Sequence, residues 1–183
     1  MPRTRRTVVA AAAVAFGLVA ALAGCDAGST APSSPPPTPS PPAPIFASDE
    51  EALAAAEAAY AAYAAVDAAI LADGGKGSDR IKDHVSATYE PTVLKAYAQI
   101  AEGGLVVRGE GSVEGARLIE ANREVVQIYA CLDVGGTVVL NAEGVDVTPP
   151  ERPLRTPVRL RFVPDGDRLL LDGSEKWDGD DFC

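Results

Sequence analysis

The apolar positions of the chain fall into four successive regimes. From Val8 to Gly24 they run unbroken for 17 residues without a charge. From Asp26 to Phe46 the pattern dissolves into proline, serine, threonine and alanine. From Ser48 to about Gly104 apolar residues recur at helical spacing, and after Gly104 they alternate with a period of two, the mark of half-buried strands. The last two regimes predict a folded domain over residues 47–183.

Ser48-Asp49-Glu50-Glu51 is a capping box, an N-cap serine with an acid three residues on. The helix it opens is predicted to run to about Ala72, ahead of Asp73-Gly74-Gly75. Leu53, Ala56, Tyr60, Tyr63, Ile70 and Leu71 share its apolar stripe, and Asp67 falls in the middle of it. Helical spacing thus pushes a carboxylate toward the core. A second, short helix is expected after Ser78, carrying Ile81 and Val85. A third covers about Ala87 to Glu102, with Val93, Leu94, Tyr97, Ile100 and Ala101 on one face. Pro91 fits only a first turn, which moves the start to Tyr89 or Glu90.

The strands begin with Leu105 to Val113, interrupted by glycine, bent or bulged and continuing to Glu120. Glu124 to Asp133 follows, with Val126, Ile128, Ala130 and Leu132 facing one way. Val138–Leu140 is short, Leu154 to Val163 points Val158, Leu160 and Phe162 inward and Arg159 and Arg161 outward, and Arg168 to Trp177 is the last. Three helices followed by an antiparallel meander predict an α+β domain with its helices on one face of the sheet.

Charge narrows the partners. The whole chain carries a net charge of -10. Residues 1–24 hold Arg3, Arg5 and Arg6 and no acid, so the remainder has thirteen basic against twenty-six acidic residues, a net charge of -13. Such a field repels phosphate backbones, and no nucleic-acid partner is expected.

The basic start, the apolar run and the small residues before Cys25 form the pattern of a secretory signal. A retained membrane helix is the alternative, but 17 Ala- and Gly-rich residues are marginal for a hydrocarbon core of about 30 Å. Leu22-Ala23-Gly24-Cys25 resembles the lipobox of bacterial lipoproteins. The resemblance implies that the Cys25 thiol receives a diacylglyceryl group and that cleavage removes residues 1–24. Two acyl chains suffice for stable anchoring, so the implied location is the outer face of the cell membrane, with the membrane itself as a partner through Cys25. Arg5-Arg6 also looks like a twin-arginine export motif, and the general secretory route stays open beside it.

Residues 25–46 then read as a linker. Eight of the chain's fifteen prolines lie between Asp26 and Phe46; they fix φ and remove donors, so helix and sheet are excluded and a polyproline-like spacer is expected. A proline-recognition ligand or a glycosylated stalk is the other reading.

Element order, the bent glycine-rich first strand and the C-terminal tail together resemble the NTF2-like (SnoaL-like) cone. That resemblance implies a conical pocket between helices and curved sheet, into which enzymes of the fold place an acid or histidine. Asp67, with Tyr60, Tyr63 and Tyr97, is the candidate lining, and a desolvated Asp67 could act as a general base. The alternative is a structural role, bonded to a tyrosine hydroxyl, to a backbone donor at the pocket edge or to an arginine such as Arg117.

With Cys25 acylated, Cys131 and Cys183 make an even pair and read as one disulfide in an exported domain. His84 is expected to be a solvated residue on the short helix, and Glu110 and Glu114 to pair with Arg159 and Arg161 across strands. Asp178, Asp180 and Asp181 form an acidic turn without the ligand spacing of a calcium loop. No cofactor and no metal site is expected. Two function classes remain open: a binding module for a small ligand or envelope protein, and a pocket enzyme of the SnoaL or ketosteroid-isomerase type using Asp67. A second carboxylate or a histidine in the pocket would favour the enzyme.

Overall fold

The computed structural model describes residues 45–179 and Cys183. The leader, Cys25, most of the linker, Asp180 and Asp181 lie outside the described residues. The described part belongs to one compact unit with its core, helix cap and cysteine pair all inside it.

Helix α1 runs Asp49–Ala72. The Ser48 hydroxyl accepts the Glu51 amide at 3.2 Å, and the Glu51 carboxylate reaches back to the Ala47 amide at 2.6 Å, so the expected cap forms. Three acids in its first turn also suit the positive end of the helix dipole. The buried line along α1 is Ala52, Ala56, Tyr60 and Ala64, with Ile70 beyond. Leu53 and Tyr63 sit at its flank instead, half-buried. The reason is steric: alanines let the helix axis approach the sheet, and the bulkier side chains splay to either side. By length and composition α1 could cross a membrane, but its alanine line is taken up by the sheet.

The expected short helix is a 3-10 helix, Ser78–Asp83, which buries Ile81; Val85 lies just beyond its end. Helix α2 spans Glu90–Glu102 with Pro91 in its first turn, and buries Val93 and Tyr97. His84 is half-buried, because the chain after the 3-10 turn joins the sheet: Leu171 donates to the His84 carbonyl and Ser86 donates to the Leu171 carbonyl.

The glycine-interrupted first strand is in fact two strands in two sheets. Strand β1 (Val106–Arg108) pairs antiparallel with β4 (Val138–Leu140). Strands β2 (Ser112–Ala121), β3 (Val126–Asp133), β5 (Arg155–Asp165) and β6 (Arg168–Lys176) form an antiparallel sheet in the order β2-β3-β5-β6. The break falls at Gly109, whose φ is +90° and whose Cβ position would lie 2.2 Å from the Gly136 carbonyl oxygen. Only glycine allows the chain to leave one sheet there and enter the other.

Ile128, Ala130, Val158, Leu160, Phe162 and Leu171 point inward and are buried. The helices therefore pack against an antiparallel sheet, an α+β arrangement. On the outer face Arg159 pairs with Glu175, Arg161 with Asp172, and Glu114 with Arg155 at 2.7 Å. The expected pairing of Arg159 and Arg161 with Glu110 and Glu114 is thus wrong. The β2 register leaves Glu114 opposite Cys131, one strand short of Arg159, and Glu110 lies outside the strands. Trp177 folds over the outer face onto Tyr129, ring centres 4.5 Å apart, and Cys183 comes to disulfide distance of Cys131 with Cα atoms 5.5 Å apart.

Candidate functional site

Tyr60, Tyr63, Asp67 and Leu71 follow one another at helical steps along α1, so one flank of the helix presents all four. Tyr60 and Tyr63 are in tilted ring contact, centroids 5.8 Å apart. Asp67 accepts a hydrogen bond from the Tyr97 hydroxyl at 2.7 Å. That bond requires α2 to pass close to the turn that ends α1. Gly75 allows it: its φ is +79°, and a Cβ there would lie 2.3 Å from the Tyr97 carbonyl oxygen. The Asp73-Gly74-Gly75 sequence thus stops α1 and also lets α2 come close enough for Tyr97 to reach back.

This flank of α1 borders a hollow of about 320 Å³, within the range of small-molecule sites. The wall opposite α1 is the β1–β4 ribbon with Val107 and Val139; Leu132, Leu171 and Ser174 come from the large sheet, and Tyr89 from the turn before α2. Most of the lining is apolar. Asp67 and Arg152 are its charged residues, and it includes no histidine and no second carboxylate.

Burial pushes the Asp67 carboxyl above the usual aspartate range, and the Tyr97 hydrogen bond opposes that shift without cancelling it. Burial likewise raises Tyr60, Tyr63, Tyr89 and Tyr97, with the Asp67 charge adding to each. These phenols therefore stay protonated, and Tyr97 donates its proton to the bond with Asp67.

Of the four residues expected in a pocket, Tyr60, Tyr63 and Asp67 line the hollow, while Tyr97 is buried behind Asp67 and orients it. Arg117 is not its partner. It is exposed on β2, opposite Tyr129 on the sheet's outer face. Sequence reading missed Tyr89, Thr137, Ser174 and Arg152. Arg152 sits in a proline-flanked loop with no periodic signal, and only the fold brings it to the hollow.

A second, larger groove of about 400 Å³ lies on the other flank of α1, bordered by Phe46, Ala55, Ala59, Ala62, His84 and Leu169. Its charged members, Asp83, Asp167 and Arg168, are exposed. Among the described residues no cluster of three His, Cys, Asp or Glu side chains could hold a metal ion.

No protein-family model and no curated protein matches the chain. Among solved structures, it is similar to the crystal structure of the intermembrane space region of the chloroplast protein ARC6, at 9% identity over 68% of this chain and 95% of that one, with a TM-score of 0.48. It is also similar to a de novo designed β-sheet protein solved by NMR, at 14% identity over 73% of this chain and 97% of that one, with a TM-score of 0.35.

Proposed function

We propose that this is a lipid-anchored bacterial binding protein. Cys25 holds it to the outer face of the cell membrane, residues 26–46 space it from that surface, and an NTF2-like cone over residues 47–183 takes a small, mostly apolar molecule or an envelope partner. The observation that carries the binding reading is the Asp67–Tyr97 pair at 2.7 Å beside an apolar hollow of about 320 Å³. A carboxylate kept in such a place against its desolvation cost is one a ligand can use. The apolar lining supplies area, and Asp67 with the tyrosine hydroxyls supplies orientation. The lipobox Leu22-Ala23-Gly24-Cys25 supports the anchor.

The test compares thermal melts and a small-molecule screen for the leaderless wild type, Asp67→Asn and Asp67→Leu. Ligand binding is expected to fall in both variants while their melting temperatures stay near or above wild type. Binding unaffected by either change would remove Asp67 from the site. The anchor is tested separately: Cys25→Ala should leave the membrane fraction or remain unprocessed, and an unmodified native N-terminus elsewhere would refute it.

The raised Asp67 pKa favours one further reading, a general base in a pocket enzyme. Solvent deuterium entering a carbon acid in the presence of wild type, and not of Asp67→Asn, would establish it.

A further inference from the structure

The unexplained charge in the hollow is Arg152. Its Nη1 donates to the Thr137 hydroxyl at 2.8 Å; its Nη2 donates to the Val134 carbonyl at 3.1 Å and to the Thr137 carbonyl. All three acceptors are neutral. A guanidinium has five N–H groups, so two are left, one on Nη1 and one on Nε, and Nε is buried without a partner. Among the described residues no carboxylate stands within ion-pair distance of Arg152. Asp146 feels its charge only weakly, being exposed and committed to Thr148. Asp67 lines the same hollow from α1 and forms no ion pair with Arg152.

A half-buried cation held only by neutral oxygens is an arrangement completed by an anion. The type of anion follows from the surroundings. Arg152 is the lining's only cation, Asp67 opposes a second negative charge, and the net charge of the chain is -10. A dianion such as a phosphate monoester is therefore disfavoured, and the apolar remainder of the lining calls for an apolar body. We propose that the hollow takes an amphipathic monocarboxylate, its chain among Leu71, Val107, Val139 and Leu171 and its carboxylate on Arg152. The assignment rests on the hollow being a ligand site, as argued above.

Octanoate, octanol and octylammonium serve as probes, titrated calorimetrically into the chain without its leader and anchor cysteine. Octanoate should bind about tenfold or more tightly than octanol, the increment of one charge-assisted contact, and octylammonium weakest. Arg152→Gln should lose that increment and keep its affinity for octanol. Equal binding of octanoate and octanol by wild type would overturn the proposal and leave Arg152 a staple between two loops, with the ligand site intact. Binding of neither probe, or binding that survives Ala68→Trp in the lining, would overturn the ligand site as well. Should Arg152→Gln fail to fold, the wild-type comparison of the two probes decides by itself.

Discussion

Against the β2-β3-β5-β6 sheet, α1 is sealed. Ile128, Leu160, Phe162 and Leu171 are at most 1% exposed, and the alanines of the helix close over them. Against the β1–β4 ribbon the same helix is not sealed: Val107 and Val139 are half-buried, and the hollow with Asp67 lies between. Both regions present apolar strand residues to the helix. They differ in where glycine and side-chain size fall. The sheet receives small residues from α1 and interlocks, whereas the ribbon, detached at Gly109, receives Tyr63, Asp67 and Leu71 and stands off. Stability is concentrated in the first region, and the candidate chemistry lies in the second.

That contrast can be broken from either side. Phe162→Ala, in the sealed region, should cost about 3–5 kcal/mol, read as a fall in the urea midpoint, with the remaining folded fraction still able to bind. The cysteine pair is next. Its bond closes a separation of 52 residues over the sheet's outer face, and Cys183→Ser should cost up to about 4 kcal/mol in the chain-entropy picture. Thiol alkylation of the non-reduced native protein checks the bond itself; two reactive thiols would refute it.

Gly109→Ala acts on the ribbon. It forces a side chain onto a left-handed backbone and against the Gly136 carbonyl, at a cost of about 1–3 kcal/mol. Its effect on ligand binding should exceed that of Phe162→Ala at matched folded fraction, because it moves the wall of the hollow.

The smallest effect is the pH dependence of Asp67. Its folded pKa is raised by burial, so its contribution to stability is fully present below the unfolded value, near 4, and is lost as pH rises through the folded value. Asp67→Asn keeps an acceptor for Tyr97 and carries no charge. It should therefore match or exceed wild type at neutral pH, and the gap should close as the pH falls toward 4. A gap that widens on acidification would show that the carboxylate is stabilised in the fold.

How much of this was legible beforehand divides along the same line. The sealed region was read well: Val158, Leu160 and Phe162 inward and Arg159 and Arg161 outward follow from strict alternation, which a sheet with one covered face enforces. Ser48 as cap and Asp67 as a misplaced carboxylate were also visible, since both are local to one helix. The ribbon was not legible. Gly109-Glu-Gly111 signals a bend, but whether the chain stays in its sheet depends on the approach of Gly136, 27 positions away. Arg152 depends on the same long-range closure, through Thr137 and Val134. The partner of Asp67 was narrowed only to a tyrosine, an arginine or a backbone donor, because choosing Tyr97 requires the Gly75 turn that lets α2 come close to α1.

On the proposed function, ligand enters the Asp67 hollow and not the larger groove on the far flank of α1. Amide chemical shifts of the leaderless chain titrated with octanol test it most directly. Saturable shifts are expected at Ala64, Ala68, Val107 and Thr137, with Ala58, Ala62 and Leu169 unmoved. Shifts confined to Ala58, Ala62 and Leu169, or none that saturate, would contradict it.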